Sequence, residues 1–129
     1  YLFSQYYYYS KNFTKLLGTA LVKSDNDLYR ARLSANLWEE SGELDIEKRH
    51  SEIFRKFLTN SLEINLEKIN IEAYTELFFK EYLDTCLNAK PYECFAMLAF
   101  GTEGIVSRLY SIFKMNLTKI GFTQKDLLF

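Results

Sequence analysis

Apolar residues recur at intervals of three and four along most of the chain, which is the spacing of amphipathic α-helices. No alternating strand pattern lasts more than a few residues, and the sequence contains only one proline and five glycines. The fold class is therefore predicted to be all-α. A first helix is predicted over residues 1–22, where one face carries the apolar series Phe3, Tyr6, Tyr9, Phe13, Leu16, Leu17 and Leu21.

Helix start and stop signals follow this first segment. The polar residues 24–27 break the first helix and offer an N-cap for a second, which is predicted to start near Leu28 and to stop at Gly42. Asp45 is the natural N-cap of a third helix, predicted over residues 46–58.

After a looser stretch, a fourth helix is predicted over residues 66–87. Pro91 then lies in the first turn of a fifth helix, where proline is tolerated. That helix is predicted to continue to about Ile120 and to end at Gly121. Thr123 is expected to cap the start of a further segment.

Length and charge restrict the class of protein. The 129 residues suit a single domain with its own core, and both ends lie in apolar segments, so we expect them to continue into a longer domain. The formal net charge of -1 comes from 16 basic and 17 acidic residues spread along the chain, which excludes a basic nucleic-acid-binding stripe. No apolar run approaches the roughly 18 residues of a membrane span, so we expect no membrane partner either.

Cys86 and Cys94 are the only cysteines, and no histidine lies near them in the sequence. They therefore suggest neither a zinc site nor a disulfide framework. We interpret both as core-packing thiols, and a reducing cytoplasm is the predicted compartment.

Three titratable residues each share a predicted core-facing helix stripe with apolar residues, such as Leu37 for the first, Phe100 for the second and Phe54 for the third. They are Glu40, Glu103 and His50, the only histidine of the chain. A buried carboxylate without a partner is costly, so such a group pairs, takes up a proton or binds a metal. Two carboxylates and an imidazole, without a thiolate, fit iron or manganese better than a structural zinc.

Two other interpretations of these residues stay open. The carboxylates can pair with Arg30 or Arg108, while the imidazole is a hydrogen-bonded core residue. The segment from Glu47 to His50 also matches the Glu-x-x-His motif of ferritin-like di-iron bundles. That fold uses the motif twice and this chain has one histidine, so Glu47 is better interpreted as a surface acid in a first helical turn.

The order and spacing of four segments resemble the haem-oxygenase-like di-iron oxidases, also called the iron-containing redox enzymes. Those segments are Gln5-Tyr6-Tyr7, Asn36-Leu37-Trp38-Glu39-Glu40-Ser41-Gly42, His50, and Phe100-Gly101-Thr102-Glu103. The chlamydial death-domain-associated protein is one relative, and the oxidase of pyrroloquinoline-quinone synthesis and thiaminase II are more distant ones. The resemblance covers essentially the whole chain and implies a haem-oxygenase-like helical bundle.

The resemblance implies that Glu40, His50 and Glu103 are iron ligands, with two ions in a complete site and manganese as the alternative metal. The family's other ligands lie in a His-x-x-x-Asp-x-x-His motif, which is expected just after Phe129. The implied activity is that of an oxygenase or oxidase that uses dioxygen to oxidise a small amine, amino-acid or fatty-acid-like substrate. We expect a homodimer.

Four residues near these ligands are candidates for substrate binding: Tyr6, Tyr9, Asn36 and Tyr110. At least two of the four tyrosines in the run 6–9 are expected to serve packing instead. Two alternatives to an iron oxidase remain. One is a helical interaction module whose aromatic surface docks a partner helix, and the other is a cofactor-free oxidase of the same fold whose polar cavity binds substrate directly.

Overall fold

The computed structural model describes residues 1–127, and within that range it contains only helices and turns, which confirms the all-α class. None of the helices in those residues is both long and apolar enough to cross a lipid bilayer. The α-helices are α1 Leu2–Lys23, α2 Asp27–Glu40, α3 His50–Lys56, α4 Ala73–Asn88, α5 Pro91–Leu98 and α6 Gly104–Lys119. Shorter elements are the 3₁₀ turns Ile46–Lys48 and Leu66–Lys68, a first π turn Phe57–Ser61 and a second π turn Ala99–Glu103.

Helix α1 is the central element, because it packs against α2, α3, α4 and α5. Its C-terminal half belongs to one apolar cluster, formed by Phe13, Leu16, Leu17, Ala20, Leu33, Phe79, Cys86, Cys94 and Leu98. Its N-terminal aromatic residues pack on a second cluster, formed by Phe54, Phe57, Leu58, Leu117 and Leu127. Cys86 and Cys94 are free and buried in the first cluster, which confirms their interpretation as core thiols.

Several predicted helix boundaries are confirmed. The Asn26 side chain accepts a hydrogen bond from the Tyr29 N–H at 3.1 Å and so caps α2. Gly42 follows the end of α2 with a left-handed φ of +83°, the conformation that favours glycine at a helix C-terminus. Pro91 lies at the first position of α5.

The third helix was predicted to be unbroken over residues 46–58, and this prediction is wrong. The Asp45 side chain accepts a hydrogen bond from the Glu47 N–H at 3.0 Å, two residues along the chain. That bond closes a tight turn instead of starting a regular helix. Arg49 then leaves the helical region, so that α3 begins only at His50.

The fourth helix begins at Ala73, so its predicted start at residue 66 is wrong. The cause is a tertiary contact with Gln5 of α1, which is buried. The Gln5 side-chain amide donates to the Asn70 carbonyl at 3.0 Å, and its oxygen accepts from the Glu72 N–H at 3.0 Å. These bonds hold the backbone before Ala73 out of the helix.

The predicted fifth helix has the expected extent, but the second π turn interrupts it. A π turn contains more residues than an α turn, so it changes the face on which later residues lie. The inward series is Cys94, Leu98 and Thr102, with Thr102 only 5% exposed. Glu103 is exposed, so the prediction that it lies on the core-facing stripe is wrong.

The last helix ends near Gly121, which has a left-handed φ of +103°. Beyond it, the Thr123 N–H donates to the Asp126 carboxylate at 2.9 Å and closes a turn. The predicted continuation toward Phe129 lies outside the described residues.

Candidate metal centre

The centre of the candidate site is a contact between Glu40, the last residue of α2, and His50, the first residue of α3. Oε1 of Glu40 lies 2.8 Å from Nδ1 of His50. The two side chains meet because the loop between the helices reverses the chain at Gly42. They therefore approach from two different helices, and the stop signal at Gly42 predicts the end of the first of these.

Gly42 is essential to that loop for two reasons. Its left-handed φ is costly for any residue with a Cβ. A Cβ at this position would also lie 2.4 Å from the Asp45 carbonyl oxygen and 2.6 Å from the Arg49 nitrogen. The turn thus packs directly on the backbone that leads into His50.

The His50 imidazole is 47% exposed, whereas the Glu40 side chain is 18% exposed. The prediction that His50 points into the core with Phe54 is therefore wrong, because α3 starts at His50 and leaves its ring at an open edge. The hydrogen bond to Glu40 raises the pKa of His50 above 6.5, partial desolvation opposes this, and the charges of Glu40, Glu39 and Glu103 raise it further. The metal-free site thus favours a proton between Glu40 and His50.

Glu103 lies within electrostatic reach of this pair. Desolvation, followed by the charge of Glu40, raises the pKa of Glu103, while the Asn36 side chain and His50 lower it. Within residues 1–127, no three His, Cys, Asp or Glu side chains are close enough to form a metal-binding cluster. The structure therefore brings Glu40 and His50 into contact and leaves Glu103 as a neighbour.

Arg30, one of the two predicted arginine partners, and Glu47, the carboxylate of the ferritin-like motif, both have partners elsewhere. Arg30 contacts Asp27, so its predicted pairing with a site carboxylate is wrong. The Glu47 carboxylate lies 2.7 Å from the Lys56 ammonium and is 62% exposed, which confirms that it is a surface acid. Glu47 is therefore not placed to act as the metal-binding carboxylate that the ferritin-like interpretation requires.

The donor types fit a divalent ion of the iron or manganese kind. Carboxylate oxygen and imidazole nitrogen are the donors that such ions accept. In this structure the 2.8 Å contact between Glu40 and His50 is a direct hydrogen bond. Both side chains would have to turn toward a shared ion.

A row of hydrogen-bonded hydroxyl groups lies beside the acidic residues. The Tyr9 hydroxyl donates to Thr102 Oγ1 at 3.1 Å, and Thr102 Oγ1 lies 2.7 Å from the Tyr82 hydroxyl. Tyr82 in turn donates to the Met97 carbonyl at 2.9 Å. Burial is the main cause that raises the pKa of Tyr9, and the charges of nearby acidic groups add to it. These hydroxyl groups therefore stay neutral at physiological pH.

An apolar cavity of about 320 Å³ adjoins these hydroxyl groups, between α1, α4, the second π turn and α6. Tyr6 and Tyr9, two of the predicted substrate-binding residues, line it. Tyr110 instead receives a 3.4 Å hydrogen bond from the Tyr6 hydroxyl, and Asn36 interacts with Glu103.

The other two tyrosines of the run 6–9 have a different role. The Lys11 ammonium lies 5.9 Å from the ring centre of Tyr7 and 5.3 Å from that of Tyr8. Both rings also pack against the apolar clusters. The prediction that at least two of the four tyrosines serve packing is confirmed.

Sequence reasoning did not identify Thr102 and Tyr82 as site residues. The available signal was the spacing of Thr102, which follows the apolar residues Cys94 and Leu98 at intervals of four. The π turn that brings Thr102 inward has no comparable signal.

A family model described as iron-containing redox enzyme matches residues 1–129. No curated protein and no solved structure matches the chain significantly. The resemblance to particular relatives therefore stays a prediction, and the family is the level at which similarity is shown.

Proposed function

Since this chain belongs to the iron-containing redox enzyme family, we propose that it is a non-haem oxidoreductase in which Glu40, His50 and Glu103 contribute to a di-iron site. The observation that carries the proposal is the 2.8 Å contact between Glu40 Oε1 and His50 Nδ1. It joins the only imidazole of the chain to a carboxylate, through a loop that accepts only glycine at position 42. The proposed partners are dioxygen and a small organic substrate, and the proposed assembly is a homodimer.

Iron bound here would supply the electrons that dioxygen takes up while the substrate is oxidised. The chain's own residues first hold the ion. A proton on His50 competes with the ion, because the hydrogen bond to Glu40 raises the pKa of His50, so ion binding should strengthen as the pH rises. The charged form of Glu103 is disfavoured without metal, and a nearby cation would stabilise it.

The surrounding residues act on the charge and the polarity of the site. The Asn36 side chain lowers the pKa of Glu103 and so favours its charged form. The neutral hydroxyl groups of Tyr6 and Tyr9 border the apolar cavity, where a substrate would lie. Glu40 and His50 are the two donors in contact. Glu103 would have to move toward them to hold an ion, and a di-iron site needs additional donors.

The direct test is an anaerobic titration of the full-length protein with ferrous ion, monitored by calorimetry. We expect about two equivalents to bind. Glu40→Gln and His50→Ala should each weaken binding by at least about tenfold, since loss of even an outer partner of a metal costs that much. The matched control is Glu47→Ala, which removes a neighbouring surface carboxylate paired with Lys56 and should leave iron binding unchanged.

Three outcomes would contradict the proposal. The first is the absence of ferrous binding in the wild-type protein. The second is unchanged affinity in folded Glu40→Gln and His50→Ala variants, with folding checked by circular dichroism. The third is full turnover after exhaustive metal removal, which would favour a cofactor-free oxidase. A parallel titration with Mn²⁺ compares the affinities of the site for the two metals.

A further inference from the structure

A second cavity lies at the end of α2 that is farthest from the candidate metal centre. Its volume is about 320 Å³, and its walls come from the last turn of α1, the loop 24–26, the first turns of α2 and the first turns of α5. None of the residues proposed as metal ligands or substrate binders lines it. Helix α2 has 14 residues and is therefore about 21 Å long, so the second cavity is a separate site.

Aromatic rings form part of the wall of the second cavity. Tyr29 of α2 and Phe95 of α5 stack on each other, with ring centres 5.2 Å apart and ring planes inclined by 16°. Tyr92 lies about one turn before Phe95 and lines the same cavity. The Lys90 ammonium, which does not line the cavity, lies 5.8 Å from the centre of the Tyr92 ring, so this ring already interacts with a cation. Clusters of aromatic rings are the sites that recognise alkylated ammonium ions.

An unpaired carboxylate also lines the second cavity. Asp25 is exposed, and among residues 1–127 no basic side chain forms an ion pair with it. Arg30, which follows it by five residues, contacts Asp27 and donates to the Ser24 carbonyl at 3.3 Å. The charge of Asp25 is therefore available to a bound cation.

The ends of the surrounding helices also favour a cation over an anion. Helix α1 ends at the cavity, and the C-terminus of a helix carries partial negative charge. Lys23, in its last turn, donates to a carbonyl of α4 at 2.6 Å. The N-terminus of α2 carries partial positive charge, but Asn26 caps it and Asp27 lies in its first turn. At the N-terminus of α5, the Glu93 carboxylate accepts from the Lys90 N–H at 2.9 Å.

The size of the second cavity restricts the cation that it can hold. A water molecule occupies about 30 Å³ in the liquid, and a methyl group is of similar size, so the cavity holds roughly ten such groups. A single ion of the size of choline fits this volume. Its methyl groups spread the charge and pack on aromatic rings, which lowers the cost of removing the ion from water.

We propose that the second cavity binds a small alkylated ammonium ion of the choline type. Tyr29, Tyr92 and Phe95 contact its methyl groups, and Asp25 supplies the opposite charge. The site is distinct from the candidate metal centre, so its ligand is not the oxidised substrate and its binding needs no iron.

The first experiment measures the charge preference by calorimetry on the metal-free protein at constant ionic strength. The probes are choline, its neutral carbon isostere 3,3-dimethylbutan-1-ol, and the anion 3,3-dimethylbutanoate. Choline should bind at least about fivefold more tightly than the neutral alcohol, because only the cation interacts with the ring faces and with the carboxylate. The anion should bind more weakly than both. Absence of choline binding, equal affinity for choline and the alcohol, or tighter binding of the anion would overturn the proposal.

The second experiment tests whether the ion binds at the aromatic wall. The Tyr92 side chain is 63% exposed, so Tyr92→Leu should leave the fold intact while it removes a ring from the cavity. Choline binding should weaken by at least about fivefold. The matched control is Tyr74→Leu, which removes a 59% exposed ring of α4 outside this cavity and should leave choline binding within about twofold. Equal affinities in the two variants would overturn the assignment to this cavity.

The third experiment tests the opposite charge. Asp25→Asn should weaken choline binding by about two- to fivefold, the range of a partly exposed ion pair, and should leave binding of the neutral alcohol unchanged. The matched control is Glu63→Gln, which neutralises an exposed carboxylate outside the cavity and should leave both affinities unchanged. Wild-type affinity for choline in Asp25→Asn, or an equal loss in Glu63→Gln, would contradict the role of Asp25.

Discussion

Glu40 and Glu103 are placed near each other by two different kinds of local structure. Glu40 ends a regular helix, and the left-handed Gly42 with its tight backbone contacts directs the chain back until His50 meets it at 2.8 Å. Glu103 lies in a π turn inside a long helical stretch, exposed and without such a contact. We call Glu40 with Gly42 and His50 the first arm, and Glu103 with its π turn the second arm. The first arm is preorganised by backbone geometry, whereas the position of the second depends on helix register.

The difference has an energetic consequence. The Glu40–His50 contact is favourable without metal, while the charged form of Glu103 is disfavoured by desolvation and by Glu40. A bound cation would reverse the second effect. In the metal-free protein, the second arm therefore lowers the stability of the fold, and the first arm raises it.

The largest expected effect is that of Gly42→Ala on the first arm. A Cβ in the left-handed region, 2.4 Å from the Asp45 oxygen, should lower the free energy of unfolding by roughly 2–4 kcal/mol. Iron affinity should fall with it, because the turn sets the Glu40–His50 contact. Urea unfolding and ferrous titration measure the two effects.

The matched control for this change is Gly18→Ala. Gly18 lies inside α1, and a Cβ there would meet nothing within 4 Å. This variant should gain about 0.5–1 kcal/mol of stability, because alanine favours the helix. Equal destabilisation by both variants would show that the Gly42 turn has no special role.

The next largest effect concerns the second arm, through Thr102→Val. The substitution keeps the shape, but it removes the hydrogen-bond partner of the Tyr9 hydroxyl and leaves Tyr82 with only its bond to the Met97 carbonyl, which should cost about 1–3 kcal/mol. The control is Thr118→Val on α6, whose exposed hydroxyl only bonds the Lys114 carbonyl and should matter by less than about 0.5 kcal/mol. Similar losses in both variants, measured by urea unfolding, would argue against a structural role for the hydroxyl row.

The contrast between the arms also explains what the sequence could predict. Gly42 and Asn26 are local signals whose effect depends on the adjacent residues, so both ends of α2 could be predicted. Asp45 is also a local signal, but it closes a turn instead of starting the third helix. The inward position of Thr102 depends on a π turn, and the late start of α4 depends on Gln5, a residue distant in the sequence. A prediction from periodicity assumes a constant number of residues per turn, so it misses a π turn. It also contains no information about tertiary hydrogen bonds such as those of Gln5.

A smaller effect on stability distinguishes the two carboxylates, because it should have opposite signs for Glu40 and Glu103. In the metal-free protein at pH 7, Glu40→Gln should lower stability because it weakens the contact with His50, and Glu103→Gln should raise it. Both side chains remain partly accessible, so each change should be below about 1 kcal/mol. The pKa of Glu103 is raised in the folded state, so its charged form costs stability above pH 4.5, and the gain from Glu103→Gln should vanish at lower pH. Changes of the same sign would contradict the distinction.

The smallest effect is the pH dependence of His50 itself. Its pKa in the folded metal-free protein should lie above 6.5, and Glu40→Gln should lower it toward that value. The stability that comes from this shift is fully present below pH 6.5 and is lost as the pH rises through the raised pKa. A proton NMR titration follows it directly, because the sequence contains one histidine. An unshifted pKa in the wild-type protein would mean that the contact does not persist in solution.

The most direct measurement is anomalous X-ray diffraction from crystals loaded anaerobically with ferrous ion, recorded on both sides of the iron absorption edge. The central claim predicts an iron peak about 2.0–2.2 Å from a Glu40 carboxylate oxygen and from an imidazole nitrogen of His50, with Glu103 as a further donor. Loaded crystals with no peak between Glu40 and His50, or with iron only at Glu47 or other surface carboxylates, would contradict it.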